Sequence, residues 1–399
     1  MYNNAGKILK MLSLIWAMPL ILILILIYPL KKFKIGMIQT QRVGGTVVQY
    51  AAAFYYHTIR PKDYRYIFFL EPAKPVNLYL INIIKRNLRI KPSFWWYVKF
   101  WIEKCFFFDF LIIRLDLIST SGNFYDVDFS FMLNENENFI CENIMESYGL
   151  PKKSQFICLN IRDSVFLDES FEDNDFEYHS YRNGDLGKYI ESIKFLISNN
   201  YYVIRTGKQM LNSFDVILDK YIDYAGLPRT EMNDLIDIWL FTNCSGTVSS
   251  GTGFDHLTIL VKKPVLFVNC LPLAHFHSFA NCLWAPKRLV HKGSGKELTL
   301  NEYIKSFYFR TEDYINNNIL VKHLDEFEIL EITREFLKVS MGELNTAYND
   351  SESLKSTEYF LSQLLDFKPA RYFHTFIHPK ARISHYWLNT ISDDLNQIG

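Results

Sequence analysis

The sequence lacks most of the signatures that identify an enzyme at sight. Its six cysteines, Cys105, Cys141, Cys158, Cys244, Cys270 and Cys282, form no C-x-x-C pair, and no Cys/His group has zinc spacing. Most lie in apolar runs, where buried free thiols are common, and this usage suits a reducing compartment. No G-x-G-x-x-G follows a strand and no G-x-x-x-x-G-K-[ST] occurs, which argues against a dinucleotide fingerprint and a P-loop. No G-x-S-x-G elbow is present. Net charge is also absent, because 43 basic residues balance 43 acidic ones. That balance excludes a general nucleic-acid binder. Alanine is scarce, and there is no internal repeat or low-complexity run.

What is present begins at the N-terminus. Met11–Leu30, "MLSLIWAMPLILILILIYPL", carries no charge. Its roughly 20 residues at about 1.5 Å each match the hydrocarbon thickness of a bilayer. The stretch is too long for a signal-peptide core and has no small-residue cleavage site after it. Pro19 and Pro29 would kink it or make it dip. Lys7 and Lys10 precede it, and Lys31, Lys32 and Lys34 follow. The excess on the C-terminal side favours a cytoplasmic main body. The expectation is one membrane anchor over 1–32.

The remaining chain suits two domains of ordinary size. Lys34–Gln39 reads as a strand, Thr46–Ile59 as a helix, Tyr64–Pro72 as a strand, and Pro75–Asn87 as a helix. Alternation of this kind predicts a parallel sheet covered by helices. Ser93–Leu115, dense in aromatics but interrupted by charges, reads as an amphipathic core helix followed by a strand, or as a contact with lipid headgroups. Pro151–Ser154 reads as a linker. Beyond it, "QFICLNI", "YYVIR" and "KPVLFVNC" read as strands, alternating with helices in "LGKYIESIKFLISNN" and "TEMNDLIDIWLFTNC". The expected domains are 33–150, 151–320 and a helical extension over 321–399. The predicted fold class is α/β, with two Rossmann-like domains facing across a cleft behind the anchor helix.

Three loops of the second domain follow strand ends: "NIRDS" (Asn160–Ser164), "RTGK" (Arg205–Lys208) and "SSGTGFD" (Ser249–Asp255). Open parallel sheets bind ligands outside the carboxyl ends of their strands. Arg162, Arg205 and Lys208 supply positive charge there. Ser249, Ser250 and Thr252 supply hydroxyls. Gly207, Gly251 and Gly253 let a ligand approach the backbone. Fixed donors, cations and little bulk describe a diphosphate site. Alternatively, Arg162 pairs with Asp163 and Asp255 caps the following helix. The first domain has its own loop, in which Arg42, Gly44 and Gly45 either touch phosphate or acceptor or form a plain turn. His275 and His277 lack a third metal ligand nearby, and Asp126–Asp128 reads as a turn; no metal site is expected.

These segments resemble a known class. "KIGMIQTQRVGGTV", "FICLNIRDSVFL", "YRNGDLGKYIESIKFLISNNYYVIRTGKQM", "DLIDIWLFTNCSGTVSSGTGFDHLTILVKKPVLFVNC" and "ARISHYWLN" are similar to the GT-B glycosyltransferases. The closer resemblance is to a family from bacterial surface-polysaccharide gene clusters, itself distantly similar to fucosyltransferases and heptosyltransferases. In that family the first loop reads Arg-Ile-Gly-His-Leu. This chain has Arg42-Val43-Gly44-Gly45-Thr46, so a histidine base is missing at that place. "NIRD" is similar to the His-x-Arg motif of fucosyltransferases, with Asn160 in place of the histidine.

The resemblance implies sugar transfer from a nucleotide-sugar, a co-substrate rather than a cofactor, to a surface glycan, on a lipid carrier if the anchor serves the acceptor. It implies Arg162, Arg205, Lys208 and the Ser249–Gly253 loop neutralising the leaving diphosphate without a metal, and Asp255 or Asn269 holding ribose or base. Asp163 is the expected general base. The expected location is the cytoplasmic face of the inner membrane. Two rival expectations are a polysaccharide-modifying pyruvyltransferase and a non-catalytic membrane-anchored scaffold.

Overall fold

The computed structural model describes residues 4–59, 64–116, 122, 127–162, 177–207, 218–342 and 351–391. The chain divides into two compact units, Met1–Met132 and Leu133–Gly399. The helix Glu135–Ser147 thus belongs to the second unit, ahead of the linker expected near 150.

In the first unit, helix α1 (Asn4–Ile27) holds one helix long and apolar enough to cross a membrane, Ile8–Ile27, with a mean hydropathy of 2.4. It is followed by β1 (Phe33–Ile38), α2 (Val43–Thr58), β2 (Arg65–Leu70), α3 (Leu78–Asn87) and α4 (Trp95–Lys104). β1 and β2 pair in parallel, from Phe33 opposite Arg65 to Ile38 opposite Leu70. These are the only strands described in this unit, joined by isolated parallel bridges at Ile112 and Lys91. The segment after α4 is a 3-10 helix, Phe106–Leu111, where a strand was expected. α3 starts where it does because the Asn77 side chain accepts from the Leu80 N–H at 2.8 Å, satisfying one of the unpaired donors of its first turn.

The second unit is built on a seven-stranded sheet, with every described pairing parallel. Its strands are β3 (Phe156–Asn160), β4 (Tyr202–Arg205), β5 (Tyr221–Asp223), β6 (Gly246–Ser249), β7 (Val265–Val268), β8 (Cys282–Ala285) and β11 (Ala381–Ile383). β9 (Arg288–His291) and β10 (Ile319–Lys322) form a separate antiparallel pair. β3, β6, β7 and β8 are buried along their whole length. Helices cover both faces of such a sheet, so its strands read as continuous apolar runs rather than alternating ones. The helix Glu326–Val339 is one of the covering helices. Its Asp325–Glu328 capping box closes its N-terminus, and its Phe336 ring lies where a Cβ on Gly246 would meet it at 3.3 Å.

The strand order is β11-β8-β7-β6-β3-β4-β5. The chain winds outward from β3 through β4 to β5, then returns to the other side of β3 and winds outward again from β6. The switch point lies between β3 and β6, where Asn160 stands opposite Ser249. The C-terminal extension is not wholly helical as expected. Ala381–Ile383 leaves it to form an edge strand beside β8.

Candidate functional site

The strand order reverses between β3 and β6, and open α/β sheets bind ligands outside the carboxyl ends of their strands at such points. Two of the three expected loops meet there. The Ser250 N–H donates to the Asn160 carbonyl at 3.2 Å, and the Arg162 N–H donates to Ser250 Oγ at 2.8 Å. Asp255 is wholly buried beneath this junction. Its carboxylate accepts from the Thr252 N–H at 2.6 Å, from Ser249 Oγ at 2.8 Å and from Asn160 Nδ2 at 3.2 Å. The Asn160 amide also donates to Thr252 Oγ1. Burial pushes the Asp255 carboxyl up to about 6, against the pull of these donors and of Arg182 nearby. Asp255 thus shapes the loop from within. Ser249 and Ser250, also buried, brace it, while Gly251, Thr252 and Gly253 remain partly exposed. Gly251 has φ +84, a conformation open to glycine at little cost, and a Cβ there would stand 3.3 Å from Cys270 Sγ.

The other expected cations lie differently. Arg205 is buried, and its guanidinium meets Asp223 at 2.9 Å. Gly207 is described, with φ +154, but Lys208 and Asp163 lie outside the described residues. Asn269 is buried, donating to the Tyr189 hydroxyl at 3.3 Å and accepting from the Leu324 N–H at 2.8 Å. His256, His275 and His277 lie close together and are partly buried, with neighbouring ring centres 5.6–5.7 Å apart. Burial lowers His256 and His275 to about 4, leaving them neutral. Among the described residues, no group of three or more His, Cys, Asp or Glu side chains could hold a metal ion.

The segment Arg182–Gly184 supplies what sequence reasoning missed. Arg182 Nη2 donates to the Gly251 carbonyl at 2.6 Å. Lys287 Nζ, just beyond β8, donates to the Asn183 carbonyl at 2.6 Å. The Gly184 N–H donates to the Arg162 carbonyl at 2.8 Å. Three consecutive residues therefore tie the ends of β3, β6 and β8 together. Lys287 is almost fully buried, and burial, with Arg162 adding repulsion, lowers it to about 7. The isolated basic residues of "YRNGD" and "APKR" carry no motif, so only the fold brings them to the crevice. Arg162, Arg182 and Lys287 make it a positive, glycine-edged cradle suited to a phosphate-bearing anion.

In the first unit, Arg42 is exposed at the start of α2, where its side chain makes no capping bond. Thr46 Oγ1 donates back to the Gln39 and Arg42 carbonyls. Gly45 is hemmed in, since a Cβ there would fall 1.2 Å from the Gln39 amide nitrogen.

No family model matches the chain. No curated protein matches it. Among solved structures it is similar to E. coli ADP-heptose lps heptosyltransferase II, at 13% identity over 63% of this chain and 85% of that one, with a TM-score of 0.35.

Proposed function

We propose that the chain is a glycosyltransferase that moves a sugar from a nucleotide-sugar to a surface-glycan acceptor, one carried on a lipid, at the cytoplasmic face of the inner membrane. The observation that carries this is the gathering of Arg162, Arg182 and Lys287 around the Gly251–Gly253 loop at the sheet's switch point. The motif resemblance along the chain supports the same class. In this reading the nucleotide diphosphate lies on the glycine-edged loop. The cations stabilise negative charge as it develops on the departing diphosphate, and such fixed electrostatic stabilisation usually contributes most to the rate. Arg162 is held through its own backbone N–H and C=O groups. Asp255 keeps the loop in its binding shape without touching the ligand. Arg42 and the Gly44–Gly45 loop are assigned to the acceptor.

The test is a thermal-shift series on the full chain in detergent with UDP, GDP, CMP, dTDP and phosphoenolpyruvate, with and without EDTA. One nucleotide should raise the melting temperature in both conditions, and Arg162→Ala should abolish the shift. Stabilisation by phosphoenolpyruvate alone would favour pyruvyl transfer and overturn the proposal.

A further inference from the structure

α1 meets every length and composition requirement of a transmembrane span, yet its packing is not that of one. Ala17, Ile21 and Leu24 are buried in one cluster with Ile35 of β1 and Ile67 and Phe69 of β2. The contacts continue along the helix. Lys10 Nζ lies 5.1 Å from the ring centre of Trp96 and 5.0 Å from that of Phe100. Ser13 Oγ accepts from the Trp101 indole N–H at 2.9 Å, and Trp16 meets Phe94 edge-on at 5.8 Å. At the far end, Tyr28 meets Phe110 at 4.8 Å. From Lys10 to Ile27 the helix runs about 26 Å, nearly the full hydrocarbon thickness. Throughout that length it lies side-on to α4, the 3-10 helix behind it, or the sheet.

A span would have to carry these partners into the bilayer. α4 has ten residues, or about 15 Å, too few to cross. It also carries Lys99 and Glu103, paired at 2.5 Å, and ends in Lys104. β1 and β2 would bring polar edges with them, which lipid does not tolerate.

The opposite face of α1 is uncovered. Only 22% of its apolar stretch is buried. Met11, Ile15, Leu22 and Leu26 are exposed on it, Leu30 just beyond the helix is exposed too, and Phe107 of the 3-10 helix is 86% exposed. An apolar surface this long is rare on a protein facing water alone. Its ends are basic, with Lys10 at one and Lys31 and Lys32 at the other. The nearby acids are matched within their own segment, Glu103 by Lys99 and Asp109 by Arg114 at 3.7 Å. Exposed aliphatic side chains, aromatic flanks and basic ends form the pattern of a helix lying at the headgroup boundary of an anionic bilayer.

We infer that α1, with α4 and the 3-10 helix Phe106–Leu111, is an in-plane docking face that sits in one leaflet of an anionic membrane and does not cross it. This rests on the first unit alone and is independent of the sugar-transfer reading. The test uses the full chain in bacterial membranes, with Cys105→Ser and a single added thiol, either a cysteine appended at the amino terminus or Lys31→Cys. A membrane-impermeant maleimide is applied before and after permeabilisation. In-plane docking places both thiols on the same side. Labelling from opposite sides would establish a span and overturn the inference. In a second arm, Lys31→Gln with Lys32→Gln should weaken binding to phosphatidylethanolamine–phosphatidylglycerol vesicles roughly tenfold, and phosphatidylcholine vesicles should bind poorly. A chain recovered without detergent as a soluble dimer would assign the face to a second copy and also overturn it.

Discussion

The guanidinium of Arg182 holds the carbonyl of Gly251 at 2.6 Å, joining a side chain far upstream to the loop after β6. The contact does two things. It fixes the left-handed bend at Gly251, and it leaves a positive charge beside the bend. Arg182→Ala should therefore weaken nucleotide binding by roughly 10- to 100-fold, the usual worth of a charge-assisted hydrogen bond. Arg182→Lys should recover only part of the loss, because an ammonium cannot reproduce the planar fork. Isothermal titration of both variants decides it. Unchanged affinity in Arg182→Ala would remove the residue from the site.

Arg205 is expected to behave differently. It is ion-paired with Asp223, and both belong to neighbouring strand ends. Arg205→Ala leaves a poorly solvated carboxylate and should cost about 3 kcal/mol of stability in denaturant titration. Arg205→Met combined with Asp223→Leu should recover much of that. Nucleotide affinity of the folded protein should change little. A tenfold drop in affinity with stability intact would return Arg205 to the ligand.

Lys287 gives the site a pH dependence. Its ammonium is lowered to about 7 by burial, so the cradle loses positive charge as pH rises through that value. Nucleotide affinity should fall across the same interval. Lys287→Met should bind more weakly at about pH 6 and show a flatter profile. A profile identical to that of the unaltered chain would exclude Lys287 from the response.

Glu335 lies away from the site and tests the electrostatics of the fold. It is buried and accepts from Ser384 Oγ at 2.6 Å and from the His385 N–H at 2.8 Å. Burial raises its carboxyl from 4.5 to about 7. A raised acid favours the folded state most when it is protonated. That contribution is fully present below about pH 4.5 and is lost as pH rises through about 7. Relative to Glu335→Gln, the unaltered chain should lose on the order of 2–3 kcal/mol across this window in urea titrations. Parallel profiles for the two would show that Glu335 does not titrate in the fold.

The fold of the second unit was legible because buried parallel strands write themselves as short apolar runs. β3, β4 and β7 fall inside the segments expected for them, whereas β6 (Gly246–Ser249) forms from residues not read as a strand. The start of the loop after Asn160 was legible for the same reason, since it follows such a run, while Asp163 and Ser164 lie outside the described residues. Arg182 and Lys287 were not, because each reaches the crevice from a segment whose local sequence has no periodicity. β11 was missed because Ala381–Ile383 is too short to separate from the helices around it. The inward direction of Asp255 was also invisible, since loop chemistry suggests a contact without stating which way a carboxylate faces. The helix read in "TEMNDLIDIWLFTNC" starts about a turn after its first residue, Thr230. The helix begins at Asn233, and Thr230 Oγ1 accepts from the Met232 N–H.

The crowding of Gly45 by Gln39 couples the two positions. The Gln39 amide fills the space that a Cβ at position 45 would need. A side chain at position 45 therefore requires the Gln39 side chain to move or be shortened. Gly45→His displaces the Gln39 amide, whereas Gly45→His with Gln39→Ala leaves nothing to displace. The two positions therefore act as one packing unit, and the room at position 45 is set by the side chain at position 39.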